Sequence, residues 1–600
     1  MNPVFNFLYK QIFWALSGLL LSFSFPNLGI PFLGYFALIP ALYRSYKDGY
    51  FSVFFGVLSF SIVFWWITTD WFSTFHKLAP LGIIFALYLY SIIPFVGVSL
   101  FAKKYGEDGI LVFPFLWVAF EFLRGNGYWS MPIILLAHTQ YHFAFSNNYL
   151  FYILNGAIPM LSEWGGVYFV SFLVALINSL ILIAFLKLKK SFNLSLTDLF
   201  IVIGFGFFSA GFVFSLISLI TGFGIVYASI FIFSFLSLFI LWFIYRKFLY
   251  TKKILYAYPI LLVVFFFFSG IFVAIDRELW YKSTQGEEIK ISLLQPNFSP
   301  WDKLLAKDFD KLNDVIDLYK SSTNADFVVA CESILRDPVN FYYQRGDLFG
   351  IKSMSISKEI GKPMILTYPH LDVSFTNTFI VRDNKKVNIL QQLYNYYNTA
   401  LFFDSSGKVI GRYDKVHLVP FGEWTPFSEY IPPLREAINS IVGSDLTPGK
   451  EFKIVEVEVK PNIIVNMAPI ICFEDLYPYI SKFYRKMGAD VLVNMTNDGW
   501  ANSIKSQWQH LVGAIYRVIE TGLPMVRATN TGRSAFILQN AKVISDLDDF
   551  KKGIMLSEIK LIKRNTFFVL FGDYLFTIIL FVFNAFIIFL GVSGKNIFKL

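Results

Sequence analysis

Apolar residues run in long blocks over residues 1–275 and 566–594, parted by short polar links, whereas residues 276–565 mix apolar and polar positions as a water-soluble α/β protein does. A helix crosses a bilayer with about 20 apolar residues. On that measure candidate spans lie near 11–28, 30–45, 51–68, 80–101, 109–123, 164–186, 199–220, 225–245, 254–275 and 570–593. The second and fifth are short, which suits tilted, re-entrant or partly interfacial segments. In 276–565 the pattern changes period. Strands are expected at 289–294, 326–331, 363–368, 398–403, 408–413, 463–472, 490–495 and 524–529, with DSSG turning one pair into a hairpin. Helices are expected at 303–320, where Leu304, Leu305, Phe309, Leu312, Val315, Ile316 and Tyr319 form one stripe, and at 506–521. Strand and helix in alternation predict a layered α/β domain.

Composition strengthens the division. The chain is 56% hydrophobic and 16% charged, with 71 phenylalanines among 600 residues, too much apolar side chain for soluble cores alone. The net charge of +9 does not point to nucleic acid, because many of the basic residues sit in the short links. Their distribution sets the orientation instead. With a cytoplasmic N-terminus, one side holds Lys10, Arg44, Lys47, Lys103, Lys104, Lys187, Lys189, Lys190, Arg246, Lys247, Lys252, Lys253, Lys595 and Lys599, fourteen in all, and the other holds Lys77 and Arg124. Nine spans then precede residues 276–565 and place them outside the cytoplasm, in the periplasm of a cell with two membranes. The N-terminus has one lysine before its first apolar run and no small-residue cleavage site, so it reads as a first membrane helix.

Two cysteines, Cys331 and Cys472, make neither a disulfide framework nor a zinc cluster. The block 124–163 falls on the outer side and is too long for a tight turn, so it is expected to fold back toward the soluble domain. His138 and His142 in it are four apart, a spacing that holds a metal on a helix. No HExxH pattern or acidic cluster accompanies them, and interfacial histidines are the better reading.

The candidate chemistry sits at strand ends. Glu332 follows the apolar run 327–330, Lys415 lies in YDKVHLVPFGEWTPF, and Cys472 ends APIIC. Singly, these read as a surface carboxylate, a loop lysine and a small buried hydrophobe. Together, the order Glu, Tyr-x-Lys, Cys-x-Glu at separations of 83 and 57 residues resembles the nitrilase (carbon–nitrogen hydrolase) superfamily. The strings YDKVHLVPFGEWTP, PIICFED, LVNMTNDGWANS, QHLVGAIYRVIETGLPMVRATNTGRS and LLQPNFSPWDK resemble apolipoprotein N-acyltransferases. So do FSFPNLG, PFLWVAFEFLRG and GGVYFVSFLVALINS in the apolar region.

That resemblance implies a multi-span α-helical membrane bundle plus an α/β four-layer αββα nitrilase-like domain. The expected division is 1–275 as a membrane domain of about nine helices, 276–565 as a periplasmic catalytic domain, and 566–600 as a last membrane helix with a short cytoplasmic tail. It implies Cys472 as nucleophile, Glu332 as general base and Lys415 as oxyanion cation. Glu423 would be a second essential carboxylate, with Glu474 and Asn398 in support. The implied reaction moves an acyl chain from a membrane phospholipid, through a thioester on Cys472, to the α-amino group of a diacylglyceryl-modified apolipoprotein in the bacterial inner membrane. No metal, organic cofactor or nucleic acid is implied. Elementary chemistry agrees: a thiol needs a base and a cation near it to act as a nucleophile, and the two neighbours are expected to favour a thiolate.

Three departures stand out. Cys331 precedes the glutamate where the family often has Pro. Phe473 follows the cysteine where it often has Tyr. Ten spans replace the common eight, as though a helix pair had been added between 190 and 253. Two other readings use the same residues. A membrane-tethered amide or nitrile hydrolase would take water as acceptor. A transporter or scaffold would have lost a triad residue, and none is lost; its spans would also carry buried charge pairs, whereas these hold only Glu121 and Arg124 near one helix end.

Overall fold

The computed structural model describes residues 3–26, 29–127, 130–190, 254–299, 308–322, 324–382, 385–426, 446–545 and 547–572, with isolated positions at 204, 207, 209–211, 213–214, 430 and 582. Among them, five helical stretches are long and apolar enough to cross a membrane: Val4–Ser24, Tyr50–Thr74, Ala79–Asn126, Pro159–Lys187 and Tyr258–Ser283. The expected spans 199–220, 225–245 and 570–593 lie outside the described residues, apart from 570–572 and the isolated positions in 199–220 and 570–593. Residues 30–45 form no single helix. A 3-10 turn, Pro31–Tyr35, leads into the nine-residue helix Ile39–Lys47. Nine residues reach only about 14 Å, too short to cross a bilayer as one helix. Helix Val112–Asn126, 15 residues long, returns from helix Ala79–Tyr105 and covers about 22 Å, short of a full crossing.

Glu121 and Arg124 at the end of that short helix are structural. Glu121 accepts from Trp117 Nε1 (2.9 Å) and the Leu136 amide (2.8 Å). Arg124 donates to the carbonyls of Met131 (3.2 Å), Ile133 (2.6 Å) and Ile134 (3.3 Å). They hold the following loop, which folds back as expected: Tyr477 Oη donates to the Ser130 carbonyl (2.8 Å), Tyr516 Oη to that of Ala137 (2.6 Å), and Tyr152 Oη to that of Asn540 (2.8 Å). His138 and His142 fall in separate 3-10 turns, Leu136–Thr139 and His142–Phe145. His138 is buried with its ring 5.8 Å from that of Tyr516, an internal packing position and not an interfacial one.

Among the described residues, twelve strands build the rest: β1 (Glu288–Gln295), β2 (Phe327–Val329), β3 (Met364–Arg382), β4 (Lys385–Phe403), β5 (Val409–Asp414), β6 (Val455–Lys460), β7 (Ile463–Ile471), β8 (Val491–Thr496), β9 (Met525–Thr529), β10 (Ala535–Ile537), β11 (Val543–Ile544) and β12 (Gly553–Lys560). They form two six-stranded sheets, β12-β1-β2-β3-β4-β5 and β11-β10-β9-β8-β7-β6. Strand alternation assigns the faces. Ile289, Ile291 and Leu293 of β1 meet Val465, Met467 and Val493 of the other sheet in the core between them. Leu294, Val328 and Leu366 point the other way, onto helices Asp308–Lys320 and Leu348–Ile360. The outer face of the second sheet carries helices Pro478–Met487 and Ile504–Thr521. Helix Ile504–Thr521 is buried on both sides, because its far side packs on the membrane bundle around Val167 and Val170. The order is helix, sheet, sheet, helix, bundle. Helix Ile254–Ser283 runs without interruption through residue 276 and joins the apolar region to β1.

Candidate functional site

Turns after β2, β5, β7 and β8 meet at one edge of the paired sheets. Glu332 lies three residues beyond β2, and Asn398 is on β4. Lys415 directly follows β5, its amide bonded to the Asn398 carbonyl at 2.9 Å. Cys472 directly follows β7 and has φ +52°. That left-handed conformation is uncommon for a residue with a side chain, and such strain concentrates at functional positions. It turns the thiol out of the strand direction and into the edge.

All six residues singled out from the sequence converge here. Glu332 Oε1 accepts from Asn398 Nδ2 (2.7 Å) and Lys415 Nζ (3.4 Å), while Oε2 accepts from the Asn497 amide (2.8 Å). The Cys472 thiol reaches the same carboxylate as a hydrogen-bond partner. Lys415 Nζ also donates to Glu423 Oε1 (2.8 Å), and Glu423 Oε2 is fixed by the Val419 amide (2.8 Å). Glu474 is fully buried and binds the site's frame. It accepts from Tyr413 Oη (2.9 Å) and from the amides of Val416 (2.9 Å), His417 (3.0 Å) and Ile471 (2.8 Å), so it ties the lysine loop to the cysteine turn.

Burial pushes the Cys472 thiol well above its ordinary value. The negative Glu332 adds to this, and Lys415 opposes it without winning. The resting sulfur therefore keeps its proton, which differs from the thiolate expected of these neighbours. Burial also raises the Glu332 carboxyl, held in check by Lys415. Burial pulls Lys415 down, but Glu423 and Glu332 together carry it well above the usual lysine value, so it stays an ammonium. A protonated thiol against a carboxylate of raised basicity can serve as a nucleophile and base pair, the proton passing to the carboxylate as the sulfur attacks.

The description "Apolipoprotein N-acyltransferase N-terminal domain" belongs to a family model that matches residues 17–180, and "Carbon-nitrogen hydrolase" to one that matches 380–564. Apolipoprotein N-acyltransferase 1 of Treponema denticola is 27% identical across 98% of this chain and 98% of its own. The Geobacter metallireducens apolipoprotein N-acyltransferase is 23% identical across 93% and 91%. The chain is similar to apolipoprotein N-acyltransferases along nearly its whole length. The Borreliella burgdorferi apolipoprotein N-acyltransferase is a further relative, 29% identical over 52% of this chain and 56% of that one.

The two local departures from the apolipoprotein N-acyltransferase pattern have visible consequences. Cys331, just past β2, is fully buried among Tyr319, Val328 and Leu366 in the outer core layer, and no disulfide joins it to Cys472. The Phe473 ring lies 5.8 Å from that of Tyr477 and 6.4 Å from that of His510. A second group of side chains behind the cysteine was not singled out from the sequence: Asp475, Asp498, His510 and Arg527. Donor atoms of Cys472, Asp498 and His510 lie within 4.8 Å of one another, the only such group found among the described residues. A metal fits poorly there. His510 Nδ1 already faces Asp498 (2.7 Å), its Nε2 faces Asp475 (2.7 Å), and Arg527 occupies further oxygens of both carboxylates. All four were in view in the strings PIICFED, LVNMTNDGWANS and QHLVGAIYRVIETGLPMVRATNTGRS, but grouping them needed the fold.

Proposed function

We propose that this membrane protein transfers an acyl chain from a phospholipid to the α-amino group of the N-terminal diacylglyceryl-cysteine of apolipoproteins, by a ping-pong route through Cys472. The observation that carries the route is the convergence of Cys472, Glu332 and Lys415 in one buried cluster. In the first half, Cys472 Sγ attacks the phospholipid ester carbonyl as Glu332 takes the thiol proton. Lys415 faces the carbonyl oxygen as it becomes an alkoxide. The tetrahedral adduct collapses, the C–O bond breaks, and Glu332 returns the proton to the departing lysophospholipid alkoxide. In the second half, the α-amine attacks the thioester carbonyl, Glu332 accepts the amine proton, and the C–S bond breaks. The Cys472 sulfur recovers the proton, which its resting environment favours. Glu423 and Asn398 hold the lysine and the base in place, and Glu474 holds the turn.

In this reading residues 1–275 and 566–600 anchor the chain in the bacterial inner membrane and 276–565 work at its periplasmic face. Both substrates are anchored in that membrane, so only their head regions need to reach the cluster. The test is to incubate the purified chain with phospholipid and a diacylglyceryl-cysteine peptide. A peptide heavier by one acyl chain, with lysophospholipid released in equal amount, is expected. Free fatty acid with unmodified peptide would make the chain a hydrolase and overturn the proposal.

A further inference from the structure

The four side chains behind the nucleophile form a closed ionic clasp. His510, on helix Ile504–Thr521, is 7% exposed, and its two ring nitrogens lie 2.7 Å from Asp498 Oδ1 and 2.7 Å from Asp475 Oδ1. A neutral imidazole has one N–H and could donate to only one carboxylate; the imidazolium donates to both. Arg527, on β9, completes the ring. One of its nitrogens bonds Asp475 Oδ2 and Asn494 Oδ1 (2.6 Å), and the other lies 3.1 Å from Asp498 Oδ2. Two cations and two carboxylates thus neutralise one another.

The position of the two aspartates gives the clasp its meaning. Asp475 sits in the same turn as Cys472, Cys472–Leu476. Asp498 directly follows Asn497, whose amide holds Glu332 Oε2 at 2.8 Å. His510 therefore bridges the turn that carries the sulfur to the loop that carries the base. Asn494 adds a tie, donating to the Cys472 carbonyl at 3.3 Å while it accepts from Arg527. The groups that face the ring are Asp475, Phe473 and Cys472 from the nucleophile turn, Asp498 from the loop after β8, and Arg527 from β9.

We propose that His510, as an imidazolium, is a positioning residue that fixes the Cys472 turn against the Glu332 loop and so sets the rate of the first acyl transfer. The proposal rests on the acyl-transfer reading above. Loss of the proton leaves Oδ1 of one of the two carboxylates without its imidazole donor and loosens the clasp. Burial alone would lower this histidine, yet the two aspartates outweigh burial and hold it up at about 9. The protonated form is the competent one. Its contribution is present below the ordinary histidine value and is lost as pH rises through about 9.

The test is the acylation half-reaction of the full chain in nanodiscs, with phospholipid and no acceptor. Lysophospholipid release in a single turnover is followed from pH 6.5 to 10. The wild-type rate constant should fall above pH 9. His510→Gln should lower it about 30-fold or more at pH 7.5 without changing half-saturation by phospholipid, and the alkaline fall should vanish. Asp498→Asn keeps the shape of the clasp and removes one carboxylate, so the alkaline fall should move at least one pH unit lower, a shift that lost packing alone would not produce. A wild-type rate flat between pH 8 and 10, an unmoved fall in Asp498→Asn, or His510→Gln within threefold of wild type each overturns the proposal. A wild type that acylates without an alkaline fall defeats the role of His510 alone, whereas one that forms no thioester at any pH defeats the acyl-transfer reading as well.

Discussion

Replacing Lys415 by Met tests the site most directly, because this ammonium answers for two charges at once. It is 1% exposed, 2.8 Å from Glu423 and 3.4 Å from Glu332. Loss of an oxyanion donor typically costs about 100- to 1000-fold in rate. A second loss follows from the same change. Lys415 is the strongest influence holding the Glu332 carboxyl down against burial, and without it the carboxyl rises further. Each pH unit by which its pKa exceeds the assay pH costs about tenfold in ionised base. The combined expectation is a loss of at least about 1000-fold at neutral pH, partly recovered as pH rises and Glu332 ionises. Leaving a buried carboxylate without its partner usually costs about 3–5 kcal/mol, and protonation of Glu332 limits that cost, so the variant should insert and fold with a lower melting temperature. Lys415→Arg keeps the charge but presents a wide planar fork where a compact ammonium stood; it should keep stability and lose turnover. The assay is lysophospholipid release at pH 6 to 9, with melting followed in parallel. Lys415→Met within tenfold of wild type, or a deficit that does not shrink with rising pH, would refute the reasoning.

Two further outcomes follow from the same geometry. Cys331→Ala removes one buried sulfur from the outer core layer and should keep turnover within about twofold, at a stability cost on the order of 1 kcal/mol; enzyme treated with phospholipid alone should carry its acyl group on the peptide containing Cys472, labile to neutral hydroxylamine, and an acyl group on Cys331 would reverse the assignment. A single cysteine engineered within 381–387, at the tip of the β3–β4 hairpin, should react with an impermeant thiol reagent in spheroplasts, and labelling only after lysis would overturn the periplasmic placement.

The sequence was most legible where one period dominates. β1 alternates buried and exposed or outward-facing positions, and the strand expected at 289–294 lies inside Glu288–Gln295. The hairpin at DSSG exists because Asp404 Oδ1 accepts from the amides of Ser406 (2.8 Å) and Lys408 (3.0 Å), a local bond that needs no distant partner. Reading for apolar runs passed over β6, whose VEVEVK alternates as buried, exposed, buried, and over β12, whose register is set by β1 opposite. β3 and β4 each extend to 19 residues, far beyond the apolar cores that marked them, because in a hairpin each strand supplies the other's hydrogen bonds. The triad was visible only as an ordered set. The clasp was not visible, because Asp475, Asp498, His510 and Arg527 lie on four segments that only the sheet order brings together. Resting charge was the remaining error: a cation beside a thiol suggests a thiolate, and burial reverses that inference.

How the chemistry is held at the membrane depends on a second set of buried charges, between the bundle and the catalytic layers. Glu163, in the first turn of helix Ser162–Lys190, accepts from Arg277 (2.8 Å) and Arg564 (2.9 Å), and Arg564 also pairs with Asp276 (2.6 Å). Arg277 then spends its remaining donors on catalytic-domain carbonyls: Val518 (2.7 Å), Ile519 (2.9 Å) and Gln539 (2.6 Å). Nearby, Glu520 accepts from the Val167 amide (2.7 Å) and from Arg517, which in turn donates to the Leu476 carbonyl (2.6 Å) at the end of the nucleophile turn. Such pairs are costly to desolvate and add little stability over apolar packing. What they add is direction, since apolar faces of helix Ile504–Thr521 and the bundle could slide past one another while fixed donors and acceptors could not. The same helix carries His510 and Arg517 toward the cysteine turn and Glu520 toward the bundle. One buried helix thus contacts both the membrane bundle and the turn that holds Cys472.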